Sequence, residues 1–324
     1  MILVTGGAGF IGSALVWALN QRGIEDIFIV DNLGSGEKWK NLRGLKYVDY
    51  CEKADFLEYL AKGLFDGKEL QAVFHLGACS STTETDNNYL IKNNFEFSKT
   101  LVKYALEKNA RFVYASSAAT YGEGEQGFDD DESQIESLVP LNMYGYSKQM
   151  FDLWLKKHDM LHKCVGLKYF NVFGPNEYHK GSMRSFILKS FDQIKSTGKV
   201  QLFRSHRPEY RDGEQLRDFV YVKDAVEMTL HFLDNPEAGG LFNVSTGIAR
   251  SWNDLVKATF AAMSLEPVIE YVDMPDSIRN QYQYYTIGNN EKIRKSGYSN
   301  KMYSLEEAID DYVKNYLEPN LRLA

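Results

Sequence analysis

Near its start the chain passes from a short apolar run, Ile2-Leu3-Val4, into Thr5-Gly6-Gly7-Ala8-Gly9-Phe10-Ile11-Gly12. Ile11, Leu15 and Leu19 then recur at four-residue spacing, and a second apolar run, Ile27-Phe28-Ile29-Val30, stops at Asp31. The spacing predicts a helix over about 11–21, and the unbroken apolar runs predict strands covered on both faces. Strand, helix and strand within about 30 residues form a βαβ unit. Glycines at 7, 9 and 12 allow a tight turn and a close approach of backbone to a pyrophosphate. The helix N-terminus then offers that anion free N–H groups and partial positive charge. Asp31 stands nineteen residues past Gly12, where a carboxylate accepts hydrogen bonds from an adenosine ribose. The whole arrangement, rather than the glycines alone, points to a bound dinucleotide.

The alternation continues. Residues 72–76 and 111–115 read as strands with a helix over 89–108 between them, and a helix over about 144–158 precedes the strand Cys164–Tyr169. This predicts an α/β fold, a Rossmann-type doubly wound parallel sheet over 1–170, with later segments at about 215–247 returning to it. After Asn171 the segments are mixed and the loops longer, which assigns 171–324 mainly to a smaller, substrate-binding α/β domain. The polar stretch 205–216 reads either as part of a cleft or lid or as a surface loop. The acidic run Asp129-Asp130-Asp131-Glu132 reads as a solvated loop.

Composition narrows the function. A chain of 324 residues, 44% hydrophobic and 25% charged, buries a sizeable core. Its net charge of −7 argues against nucleic acid, whose phosphates need a basic surface, but leaves a small anionic substrate open. Cys51, Cys79 and Cys164 fit neither a disulfide framework nor a zinc spacing. No metal is expected, and free thiols suit a reducing, cytoplasmic compartment. No basic, apolar leader opens the sequence, and no run of about 18 apolar residues predicts a membrane span.

Tyr144-Gly145-Tyr146-Ser147-Lys148 puts Tyr144 and Lys148 on one helix face. An ammonium beside a phenol lowers its pKa from about 10, which suits proton transfer at a carbinol oxygen while hydride moves at the carbon. The same pattern also arises from a packing Tyr and a solvated Lys, so its weight comes from the dinucleotide signal upstream. Ser117 follows a predicted strand, at the end where doubly wound sheets place their sites. Its hydroxyl either orients the reacting oxygen or satisfies a turn. At the ribose, Asp31 favours NAD, whereas Lys38, Lys40, Arg43 and Lys53 are cations that can hold a 2′-phosphate. The residues alone leave NAD and NADP both open.

These motifs, with Arg217-Asp218-Phe219-Val220-Tyr221-Val222-Lys223-Asp224 and Phe242-Asn243-Val244-Ser245-Thr246-Gly247, resemble the extended short-chain dehydrogenase/reductase family and its nucleotide-sugar epimerases and dehydratases. His75-Leu76-Gly77-Ala78-Cys79-Ser80-Ser81-Thr82-Thr83-Glu84, Tyr169-Phe170-Asn171-Val172-Phe173-Gly174-Pro175 and His179-Lys180-Gly181-Ser182-Met183 resemble the ADP-L-glycero-D-manno-heptose 6-epimerase family, over nearly the whole chain. The resemblance implies a bacterial homo-oligomer (a pentamer) acting with NADP at C6″ of an ADP-sugar, supplying heptose for the lipopolysaccharide core, with no nucleic-acid or membrane partner. It implies Ser117, Tyr144, Lys148 and Lys180 as catalytic. Cofactor contacts would come from Gly6, Gly9, Phe10, Ile11, Gly12, Asp31, Asn32, Lys38, Lys53, Leu76, Gly77, Ala78, Cys79, Ser80, Asn93, Tyr144, Lys148, Val172 and Lys180. Substrate contacts would come from Asn171, Ser182, Lys189, Phe203, Arg204, Ser205, His206, Arg217 and Tyr282.

The chain departs from that family at Leu76, where the family has Glu, at Lys189, where it has His, and in longer loops at 122–140 and 205–216. The alternatives are another NAD(P)-dependent nucleotide-sugar epimerase or 4,6-dehydratase, and a non-catalytic dinucleotide sensor. A dehydratase needs an acidic pair just after the strand-end Thr, and Ser117-Ala118-Ala119-Thr120-Tyr121 has none. A sensor has no need of Ser117, Tyr144 and Lys148 together. Lys180 reads as a second acid/base or as a pyrophosphate-binding lysine, and Arg217 and Arg204 as cations for the ADP pyrophosphate.

Overall fold

The apolar runs of the sequence become strands with no face left to solvent. The computed structural model describes residues 1–279 and 282–324. Its strands, in chain order, are β1 (Ile2–Thr5), β2 (Ile27–Asp31), β3 (Asp49–Glu52), β4 (Ala72–His75), β5 (Arg111–Ser117), β6 (Cys164–Tyr169), β7 (Asn171–Phe173), β8 (Val200–Phe203), β9 (Leu216–Tyr221), β10 (Gly240–Val244), β11 (Ala249–Ser251) and β12 (Ile269–Val272). Seven of them form one wholly parallel sheet in the order β3-β2-β1-β4-β5-β6-β10. The order reverses between β1 and β4, the point at which such sheets bind ligands beyond their strand ends.

Helices α1 (Phe10–Gln21), α2 (Lys53–Ala61), α3 (Asn87–Leu90), α4 (Phe97–Glu107), α5 (Met143–Lys157), α6 (Phe186–Thr197), α7 (Val222–Asp234) and α8 (Trp252–Ala262) follow in chain order. Alternation along each strand sends side chains to two cores. Val4, Ile29, Phe74 and Val113 meet Leu15 and Leu19 of α1 and Val226 and Leu230 of α7. Leu3, Phe28, Val73 and Phe112 meet Phe56 and Leu60 of α2, Leu101 of α4, and Phe151 and Leu155 of α5. Each such side chain contributes roughly 1.5–3 kcal/mol by leaving water. The predicted Rossmann-type α/β fold is thus present.

Of the later segments, β10 forms one edge of the large sheet, while β9 lies between β7 and β11 in a separate three-stranded sheet. β8 and β12 form a parallel pair. The helix predicted over 89–108 is α3 and α4 joined by a π-helical turn, Ile91–Glu96, a feature that often marks functional positions.

The acidic run at 129–132 is not simply solvated. Asp130 is 2% exposed and accepts the Asn243 N–H at 2.7 Å, and Glu132 accepts the Leu241 N–H at 2.8 Å. Both donors belong to the sheet-edge strand β10, and the carboxylates satisfy N–H groups that no further strand covers. Among the described residues, no helix is long and apolar enough to cross a membrane.

Candidate active site

A cleft of about 980 Å³ opens over the ends of β1, β4, β5 and β6, at the reversal in strand order. Its floor depends on glycine. Gly6 has φ +72°, and a Cβ there would stand 2.6 Å from the Gly77 nitrogen, while a Cβ on Gly12 would overlap the Gly6 carbonyl oxygen. Only glycine lets the β1–α1 turn close on the loop after β4. Gly9 begins α1 without a side-chain cap, and no acidic residue occupies the first turn. The N–H groups and positive end of the helix therefore face the cleft uncompensated, which fits a phosphate of a dinucleotide.

Asp31 ends β2 with both oxygens engaged. Oδ2 accepts the Ala8 N–H at 2.8 Å, and Oδ1 accepts the Asn32 N–H at 2.7 Å and the Lys38 ammonium. Lys53 donates to Asn93 Oδ1 in the π-helical turn. Burial lowers the Lys53 pKa, and the charges of Asp31 and Lys38 also act on it. His179, 3.2 Å from the Asn41 amide, is pushed to about 4, first by burial and then by Lys38 and Lys180. It is neutral at physiological pH.

The candidate proton-handling groups come from three elements. Ser117 closes β5, and its Oγ accepts the Ala119 N–H at 3.1 Å. Lys148 on α5 is 6% exposed and donates to the Ala115 carbonyl at 2.8 Å. Burial brings its pKa down to about 8, with Asp152 acting the other way. Tyr144, one turn earlier, is half-buried, yet desolvation raises the phenol above its usual value and a hydrogen bond with Ser117 opposes this. The lowering expected from Lys148 is therefore not seen in the protein alone: the opposing influence comes from Ser117. Lys180 sits in the turn Tyr178–Met183, its ammonium 5.4 Å from the centroid of the Phe10 ring. Burial lowers its pKa and Glu177 opposes the shift.

The loop after β4 is held by Asn94, which accepts the Cys79 N–H at 2.8 Å and donates to the Cys79 carbonyl at 2.9 Å and to Ser147 Oγ at 3.0 Å. The π-helical turn thus ties the loop after β4 to α5.

Most of the sequence-derived candidates share this cleft. Its wall includes Gly6, Gly9, Phe10, Ile11, Gly12, Asp31, Lys38, the loop 76–80, Ser117, Tyr144, Lys148, Asn171, Val172, Lys180 and Lys189. Asn32, Lys53 and Asn93 are not in the wall but adjoin it through Asp31 and Lys38. Ser182 is exposed in the Tyr178–Met183 turn and outside the wall.

Phe203, Ser205, His206, Arg217 and Tyr282 form a neighbouring aromatic and cationic cluster. Phe203 and Tyr284 pack on Tyr282 with centroids 6.4 and 5.5 Å away, and the Tyr284 hydroxyl meets the His206 N–H at 2.9 Å. Arg204 pairs with Asp273 at 3.4 Å. The Arg217 guanidinium lies 5.5 Å from the Tyr282 ring and 5.7 Å from Trp252. Trp252, Phe186, Phe219 and His179 line the cleft but were not among the sequence candidates. Phe219 and His179 fall inside quoted motifs, whereas nothing in the sequence marks Trp252 or Phe186.

The NAD dependent epimerase/dehydratase family matches residues 2–245. A Nitratidesulfovibrio vulgaris (strain DP4) protein named ADP-L-glycero-D-manno-heptose-6-epimerase is 53% identical over 317 residues, covering 98% of each chain. A Fusobacterium nucleatum protein of the same name is 48% identical over 326 residues, again covering 98% of each. The crystal structure of Helicobacter pylori ADP-L-glycero-D-manno-heptose-6-epimerase superposes with a TM-score of 0.81 at 29% identity, covering 97% of this chain and 95% of that one. With a glycine cradle and an uncapped helix suited to a nicotinamide dinucleotide, this chain belongs to the NAD dependent epimerase/dehydratase family.

Proposed function

We propose that this protein epimerises C6″ of ADP-D-glycero-D-manno-heptose to give ADP-L-glycero-D-manno-heptose, with NADP as the bound dinucleotide, and so supplies heptose for the lipopolysaccharide core. The observation that carries this reading is the meeting of Ser117, Tyr144, Lys148 and Lys180 in one cleft with the glycine loop. When bound, the dinucleotide supplies reversible hydride acceptance and, while oxidised, a positive charge that favours the phenolate.

Tyr144 takes the proton from the C6″ hydroxyl oxygen and later returns one. Ser117 hydrogen-bonds that oxygen. The Lys148 ammonium, held by the Ala115 carbonyl, adds positive charge beside the phenol. The two epimers present this oxygen in different directions, so one base does not serve both. Lys180, whose burial draws its pKa toward the working range, handles the proton in the other orientation.

NADP is favoured over NAD because both Asp31 oxygens are already engaged and Lys38 neutralises the carboxylate. Asn171, Ser182 and Lys189 are assigned to the sugar side. Phe203 to His206, Arg217 and Tyr282 are assigned to the ADP moiety, with Arg217 joining that cluster to the cleft through Trp252. In this scheme residues 1–170 serve the dinucleotide and 171–324 mainly the substrate. A cytoplasmic homo-oligomer, a pentamer by resemblance, completes the proposal.

Tyr144→Phe should lose about 10²–10⁴-fold in turnover while dinucleotide affinity stays level. Lys180→Met should slow at least one direction of epimerisation. Full activity in the first variant, or unchanged rates both ways in the second, removes the corresponding role.

A further inference from the structure

Two buried charges lie beneath the site without lining it. Asp152 and Lys168 are 0% and 1% exposed, with Lys168 Nζ 3.4 Å from Asp152 Oδ2. Desolvating two ions offsets much of their attraction, so a buried pair is weak evidence for stability and asks for another role. Asp152 accepts the Tyr114 hydroxyl at 2.8 Å and the Ser116 hydroxyl at 2.7 Å. Lys168 donates to Thr120 Oγ1 at 2.6 Å, and Thr120 donates to the Ser117 carbonyl at 2.8 Å. Lys148, four residues before Asp152 and on the same helix face, donates to Ala115. Three consecutive residues of β5, Ala115, Ser116 and Ser117, are therefore each tied to this buried group or to Lys148.

We propose that Asp152 is a positioning residue for Ser117, Tyr144 and Lys148: it clamps the end of β5 to α5 and supplies the carboxylate that balances the Lys148 ammonium, while Lys168 pairs with it from β6. The proposal rests on the reading of Lys148 given above.

The charged and titratable groups around it are few. Asp152 faces Tyr114 on β5, Lys168 on β6 and, on its own helix, Lys148. Lys148 is also influenced by Cys79 and acts on His75, which burial keeps neutral. Lys168 further feels Asp130 and Glu132 and lies 4.8 Å from the Tyr121 ring centroid. Burial already brings Lys148 to about 8, and Asp152 is the first charge acting against that shift. Removing the carboxylate makes the ammonium lose its proton at lower pH.

The test compares two variants that break the same pair. Asp152→Asn keeps the shape and an acceptor but removes the charge. The alkaline limb of kcat/KM should move down by about one pH unit or more, and so should the alkaline limb of NADP affinity in a fluorescence titration. Lys168→Met leaves the carboxylate, and neither limb should move down. A purely structural pair predicts that both variants lose stability with both limbs in place. If Asp152→Asn does not fold, Asp152→Asn with Lys168→Met carries the test with both charges of the pair removed, and its limbs should move down as well. Unmoved limbs in the folded aspartate variant, alongside loss of turnover in Lys148→Met, overturn the inference alone. Full turnover in Lys148→Met overturns the reading beneath it.

Discussion

Lys38→Ala isolates the choice of dinucleotide. Lys38 donates to Asp31 Oδ1 and, at 3.0 Å, to the Asn32 carbonyl. Its side chain is 22% exposed against 7% for Asp31, so the pair is less screened than one on the open surface. With NADP as the proposed dinucleotide, the substitution removes a charge-assisted donor to its 2′-phosphate, worth about 1.5–3 kcal/mol, and uncovers the Asp31 charge. The lost donor alone corresponds to roughly 10- to 150-fold weaker NADP binding. NAD carries a hydroxyl at that position, for which the freed Asp31 oxygen is a ready acceptor. Its affinity should therefore hold or improve, and the preference for NADP over NAD should fall by about tenfold or more. Parallel fluorescence titrations with NADPH and NADH at one ionic strength read this directly. Equal weakening of both would mean that Lys38 only holds the loop and does not discriminate between the two dinucleotides.

Two further predictions concern the scaffold. Burial raises the Asp224 pKa from 3.8 to about 7 while it accepts the Tyr303 N–H at 3.0 Å. Its stabilising contribution is full below the unfolded pKa and is lost as pH rises through about 7. Asp224→Asn is neutral throughout, so the fall in stability between about pH 5 and 8 should shrink by about 2 kcal/mol. Equal falls in urea midpoint for the two proteins would exclude Asp224 as a source. Leu15 is fully buried between the sheet and α7, and Leu15→Ala should cost about 2–5 kcal/mol without altering the ratio of NADP to NAD affinity. An unchanged midpoint would contradict the packing described for α1.

The first βαβ unit was legible because its signals are local. Apolar runs give β1 and β2, the four-residue spacing gives α1, and the glycines announce the turn. Asp130 and Glu132 were misread because their partners, the N–H groups of Asn243 and Leu241, lie more than a hundred residues away. The π-helical turn at Ile91–Glu96 escaped notice for a related reason. Its Asn94 bridges Cys79 and Ser147, a tertiary demand that no helical periodicity encodes. Tyr144, Lys148 and Ser117 were identifiable by spacing and strand-end position, but the direction of the Tyr144 shift was not. Desolvation, which depends on the whole cleft, sets the direction there, against a hydrogen bond from Ser117. The Phe203, Arg217 and Tyr282 cluster was reached only through family resemblance, since the aromatic contacts join segments far apart in sequence.

In the proposed reaction one enzyme removes and restores the same hydrogen at C6″. The direct measurement is ¹H NMR of ADP-D-glycero-D-manno-heptose incubated with the NADP-loaded protein in D₂O. Internal hydride return predicts a mixture of the two C6″ epimers, protium retained at C6″, and no accumulation of free NADPH. Unchanged substrate with NADP bound, or deuterium at C6″, would contradict it.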